Sequence, residues 1–256
     1  MTQSDGSAPS VEGSGPGSVA SPMVALPACL ASIRKRIEDA CQRSGRDPAT
    51  VRLVAVTKAK ATSVVRDAMA AGIRCFGENR VQEASEKISE LSLESKELGI
   101  EWHMIGHLQS NKARRAVELF STIHSVDSLK LAERLNQAAA DLDVEPAVLI
   151  QVNLGNEETK SGVQPQEARE LVRRIAGLPN LNLRGLMAVP PYMDSQEEIR
   201  PYFRTLRLLR DEVLHSGAAD SSFKELSMGM SHDFEVAIEE GATMVRVGTA
   251  LFGQRS

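Results

Sequence analysis

Three cysteines, one tryptophan and two tyrosines in 256 residues are small numbers, and each scarcity excludes something. Cys29, Cys41 and Cys75 are too few and too far apart for a disulfide framework or a paired zinc motif, which fits a reducing, cytoplasmic setting. No apolar run approaches the roughly 20 residues that cross a bilayer. A formal net charge of -4 gives no electrostatic reason to expect nucleic acid or an anionic membrane as partner. Residues 1–22 are rich in Ser, Gly and Pro and hold no hydrophobic stretch, so they read as a disordered tail ahead of a single domain over 23–256. A transit peptide is the rival reading of that tail, but Asp5 and Glu12 are present and the first arginine is Arg34.

What is present is alternation. From Pro27, "LPACLASIRKRIEDACQRSG" places Leu30, Ile33, Ile37 and Ala40 at helical spacing and stops at Gly45, predicting a leading helix. Strand-like runs follow at 51–57, 73–76, 101–105, 120–126, 147–153, 183–189, 223–227 and 243–247. Segments with apolar residues at 3.6 spacing separate them. Eight βα units predict a parallel (β/α)8 TIM barrel. A doubly wound open sheet is the alternative, but the turn after the first strand, "VTKAKATS", has no glycine for a phosphate loop.

In such a barrel chemistry sits at the C-terminal ends of the strands. The first strand ends on Lys58 in "VRLVAVTKAK", the second on Glu78 and Asn79, the fifth on Asn153. The last two end in "SMGMSHD" and "RVGTALFG", whose Ser227, Gly229, Ser231, Gly248 and Thr249 put small residues and hydroxyls where barrels of this kind bind phosphate. Arg246, two residues before Gly248, faces the same side of its strand and needs either a core acid or a ligand lone pair. An amine, an arginine and a phosphate site together match the aldehyde, ring nitrogen and phosphate of pyridoxal phosphate.

The strings "VAVTKAK", "FGENRVQE", "WHMIGHLQSNK", "IHSVD", "IQVN", "ETKSG", "GLMAV", "LSMGMSHDFEVAI" and "VRVGTALFG" resemble the pyridoxal phosphate homeostasis proteins, relatives of the alanine racemase barrel. The resemblance runs from about Leu30 to Gly253 and departs at Ala61, where many members have proline. It implies pyridoxal 5'-phosphate (PLP) held as a Schiff base on Lys58, with Asn79, Ser227, Met228, Gly229, Arg246, Gly248 and Thr249 around the cofactor. Ser227, Gly248 and Thr249 would take the phosphate, and Arg246 the pyridine nitrogen. It also implies a monomeric carrier with no catalytic residue, which stores PLP and passes it to apo-enzymes.

An arginine on the pyridine nitrogen leaves the ring a poor electron sink. The alternative function, a PLP-dependent racemase or lyase, needs a second base. Tyr192 and Tyr202 are the tyrosines available, and neither is an obvious one. His103, His107 and His124 raise a zinc reading, set aside because their spacing spans a strand exit and no acid sits at ligand spacing. Lys112 reads as solvated, and Lys160 as a loop lysine that could serve cofactor entry.

Overall fold

The structure is a computed structural model, and it describes residues 22–155 and 161–253. Eight parallel strands close a barrel in sequence order: β1 (Arg52–Val56), β2 (Cys75–Glu78), β3 (Glu101–Met104), β4 (Thr122–Val126), β5 (Ala147–Val152), β6 (Asn182–Ala188), β7 (Glu225–Met230) and β8 (Met244–Val247). The helices are α1 (Pro22–Arg43), α2 (Thr62–Ala70), α3 (Val81–Glu90), α4 (Ser92–Glu97), α5 (Ala113–Leu119), α6 (Leu129–Leu142), α7 (Pro165–Ala176), α8 (Gln196–His215), α9 (Phe234–Glu239) and α10 (Thr249–Phe252). None among the described residues is long and apolar enough to cross a membrane. The tail reading falls on residues outside the described ones, except Pro22.

Alternation along each strand sorts the core into two layers. Ala55, Phe76, Ile123, Ile150 and Val245 face outward into the large cluster under the helices. Val54, Cys75, Leu149, Met187 and Met244 form a separate cluster within the barrel. Four further inward side chains are polar, His103, His124, Ser227 and Arg246, and all are buried.

Strand bounds agree with the sequence expectation to within two residues except at the end of the seventh, and three elements depart most. The leading helix starts at Pro22 rather than Pro27, because Leu26 continues the buried face of Leu30, Ile33 and Ile37 by one further turn. The second strand runs over Cys75–Glu78 rather than 73–76, its register set by Cys75 lying opposite Glu101. The seventh runs over Glu225–Met230 rather than 223–227, since a register shift between Ser227 and Met230 lets it continue through Gly229 at φ +88°. Glu78, Ser227, Met228 and Gly229 therefore lie within strands, not in the loops after them.

Candidate functional site

Because β1 pairs with β8, the first and last strands of the sequence are neighbours. Val54 lies opposite Arg246 and Ala55 opposite Val247. That closure sets Lys58 and the turn at Gly248 and Thr249 on adjacent strand exits. A Cβ on Gly248 would stand 3.3 Å from the Val56 Cβ, so the two exits are in contact.

Lys58, half-buried, sits in a tight turn after β1. The Thr57 N–H donates to the Gly77 carbonyl at 3.1 Å, and the Lys60 N–H returns to the Thr57 carbonyl at 3.0 Å. Ala59 takes φ +57°, and its N–H donates to Glu83 Oε1 at 2.5 Å. Beneath the turn lies a buried ion cluster. The Lys87 ammonium donates to Glu78 Oε1 at 2.8 Å, to Glu83 Oε1 at 2.7 Å and to the Thr57 carbonyl at 2.6 Å. Thr57 Oγ1 donates to Glu78 as well, at 2.7 Å. Burial pushes the Glu78 carboxyl above the ordinary range, with Lys87 and Thr57 pulling back. Burial also opposes ionisation of Glu83, but bonds from Lys87 and the Ala59 N–H outweigh it and hold that carboxyl low.

At the β7 and β8 exits backbone amides and a hydroxyl meet instead. Ser231 Oγ accepts from the Gly248 and Ala250 N–H groups, each at 3.2 Å, so two backbone amides and a hydroxyl converge on one point. Thr249 is exposed beside them. Asp233 Oδ1 closes the β7 exit by accepting the Met230 N–H at 2.6 Å. Ser231 is among the hydroxyls that the sequence places at the phosphate-binding end, although the family resemblance does not add it to the cofactor set.

Arg246 is held inside the barrel. Its Nη1 donates to Ser227 Oγ at 2.6 Å and its Nη2 to the Ala188 carbonyl at 2.8 Å. Burial lowers its pKa to about 10, so it remains a cation at neutral pH. Ser227 Oγ also meets His124 Nδ1 at 2.8 Å. The hydroxyl expected after the seventh strand is instead wholly buried in the barrel interior. Met228 faces the outer core, leaving only its backbone toward the mouth. Gly229 is required by its backbone, since a Cβ there would lie 2.6 Å from that of Ala237. At the β2 exit Asn79 Oδ1 is buried without a partner among the described residues, an acceptor whose hydrogen-bonding capacity is unfilled. Gly106 lets β3 pass Asn79: a Cβ would come within 2.3 Å of the Asn79 carbonyl.

The three histidines do not converge. His103 Nδ1 meets His124 Nε2 at 2.9 Å, while His107 sits apart, near Asp127 and Ser161. The expectation that no acid accompanies them is corrected: Glu101, two residues before His103 on the same face, brings Oε2 to 3.4 Å from His103 Nε2, and Cys75 Sγ lies at 3.5 Å. The Arg52 guanidinium already holds that carboxylate at 2.5 Å. Tyr202 packs against the outer core, and Tyr192 is 74% exposed, stacked on His232 at 5.3 Å. Lys112 is exposed at the end of a single turn, Ser110–Lys112, and Lys160 lies outside the described residues.

A closed eight-stranded barrel with a lysine at the first strand exit and an amide-lined turn at the last defines a class, the alanine racemase N-terminal domain type, whose family model matches residues 29–256. An alanine racemase of Clostridium difficile shares the fold, with a TM-score of 0.63 at 18% identity over 86% of this chain and 58% of its own. More particularly, the chain belongs to the pyridoxal phosphate homeostasis protein family. It is 45% identical over 226 residues to the Aquifex aeolicus member and 47% identical over 227 to that of Pseudomonas aeruginosa. Each alignment covers 88% of this chain, with 96% and 94% of the relative respectively. The structure of PipY from Synechococcus elongatus with PLP bound superposes with a TM-score of 0.77 at 39% identity, over 89% of this chain and all of that one.

Proposed function

We propose that the protein binds pyridoxal 5'-phosphate in the strand-exit mouth and serves intracellular PLP homeostasis. The carrying observation is the juxtaposition, through the β1 to β8 pairing, of the pinned Lys58 turn with the Ser231 and Gly248 cradle and Arg246. Family membership and the PLP-bound PipY neighbour support it.

The residues fit the cofactor group by group. The Lys58 amine condenses with the aldehyde, losing water, and so holds the cofactor as a Schiff base. Ser231, Thr249 and the N–H groups of Gly248 and Ala250 take the phosphate. Arg246 turns its remaining N–H groups to the pyridine nitrogen, and Asn79 Oδ1 supplies an acceptor at the ring's edge. Ser227 holds Arg246 rather than the phosphate. When bound, the cofactor supplies a carbonyl equivalent and an electron sink, the latter weak beside an arginine that keeps its own protons.

Storage and delivery follow from that weakness, with apo forms of PLP-dependent enzymes in the cytoplasm as acceptors and the protein acting as a monomer. Racemisation would need a second base, and both tyrosines are turned to other partners: Tyr202 to the outer core, Tyr192 to His232.

The test is an absorbance spectrum of the purified protein after PLP addition. A band near ~420 nm, fixed by borohydride as a mass increment on Lys58, is expected, as is its loss in Lys58→Ala. A colourless wild-type protein, or a Lys58→Ala protein with the full band, overturns the reading.

A further inference from the structure

The lumen of the barrel carries a line of hydrogen bonds that cofactor contact does not explain. It begins at Arg246, passes through Ser227, His124 and His103, and ends on Glu101 at the opposite mouth. The strands β4 and β7 are not neighbours, so the His124 to Ser227 bond crosses the interior.

Its direction can be worked out from the two ends. Glu101 is paired with Arg52, and the His103 bond, joined by that guanidinium, holds its carboxyl below the ordinary range, so it accepts. His103 Nε2 therefore carries the hydrogen and Nδ1 is a lone pair. His124 must then donate from Nε2 and accept at Nδ1, and the hydrogen it accepts comes from the Ser227 hydroxyl. Ser227 is left with lone pairs, which suits the guanidinium, a group with donors alone. The reverse order would set a His103 lone pair against the Glu101 carboxylate. Both imidazoles are neutral in this arrangement, and burial pushes both below the usual histidine range.

We infer that Glu101, His103 and His124 are positioning residues for the cofactor: with Ser227 they form a one-directional chain through the barrel that fixes the Arg246 guanidinium, so that a change at the far mouth is felt at the pyridine nitrogen. The inference rests on the PLP reading above. It explains why His103, His124, Ser227 and Arg246 are buried in the same interior as the apolar cluster of Val54, Cys75, Leu149, Met187 and Met244. It also explains the Arg52 and Glu101 pair at the end remote from the ligand: this pair keeps the terminal acceptor ionised.

The experiment compares wild type, His124→Phe and Glu101→Ala. PLP affinity is measured by equilibrium titration, and the ring-nitrogen environment by the 15N shift of labelled PLP. Loss of one buried link is expected to weaken PLP about tenfold in His124→Phe and about threefold in Glu101→Ala, with the ring shift moved in the same sense in both. The Glu101 side chain is 45% exposed and far from the ligand, so Glu101→Ala carries the test by itself if His124→Phe fails to fold. Wild-type affinity and ring shift in Glu101→Ala overturn the chain while leaving PLP binding intact. Absence of PLP binding by wild type overturns both readings.

Discussion

The two sides of the barrel mouth hold their groups by opposite means. At the β1 and β2 exits the turn that carries Lys58 rests on ionised side chains: Lys87 bridges Glu78, Glu83 and the Thr57 carbonyl in a site where Glu78 has no exposure. At the β7 and β8 exits the donors are two backbone amides and hydroxyls, and the hydrogen bonds of Arg246 go to a hydroxyl and a carbonyl. The difference follows from what each side must do. A reactive amine needs its backbone aimed, and buried charge pairs with several bonds each are stiff in direction. In the proposed site the phosphate would meet N–H and hydroxyl donors, while Arg246, bonded to a hydroxyl and a carbonyl, would be kept for the pyridine nitrogen.

The sharpest way to break this comparison is to remove the charge beneath the lysine turn. Lys87→Met leaves Glu78 buried without its cation and is expected to destabilise the protein by about 3–5 kcal/mol in denaturant unfolding. Adding Glu78→Gln should recover part of that loss. An unchanged unfolding midpoint in Lys87→Met would mean that the ion cluster does not brace the turn.

The polar half of the lumen makes a second, smaller prediction, through pH. Burial disfavours the charged forms of His103 and His124 and holds both below the ordinary histidine value of about 6.5 in the folded state. Below pH 6.5 the unfolded chain therefore binds protons that the folded one does not, so this contribution to stability is complete above 6.5 and is lost as pH falls. Each histidine adds about 1.4 kcal/mol per pH unit to the slope until its folded pKa is reached. His124→Gln should flatten the acid limb measured by urea unfolding between pH 6.5 and 5. An equal slope in that variant would place the acid sensitivity elsewhere.

The sequence's two periods carried the architecture: eight apolar runs separated by helical segments match the eight strands, and counting by twos put Arg246 on the inner face with Gly248. The exits were less legible. Glycine and serine in "SMGMSHD" look like a loop, yet Gly229 at positive φ lets β7 run on, and that moves Ser227 from the rim to the interior. Lys87 looks like a solvated residue on helix α3 until Glu78 is seen to lie inside a strand directly opposite it. For His103 and His124 the sequence raises only a zinc reading that their spacing sets aside, and for the same reason: a bond between residues 103 positions apart, such as His124 to Ser227, leaves no trace in spacing along the chain.

Ser231 gives the smallest effect and the finest reading of the neutral side. Its hydroxyl now sits where the amides of Gly248 and Ala250 converge, at 3.2 Å from each. In the proposed site a ligand phosphate would accept from those two N–H groups in its place and receive the hydroxyl hydrogen, so Ser231 would change from acceptor to donor on binding. Ser231→Ala removes one neutral bond to the phosphate while leaving the amides, which corresponds to about 1 kcal/mol, or roughly fivefold weaker PLP binding. Binding of pyridoxal, which lacks the phosphate, should be unaffected by the same change. If pyridoxal weakens as much as PLP, Ser231 supports the shape of the mouth and not the phosphate, and the contrast between its charged and neutral sides loses its functional meaning.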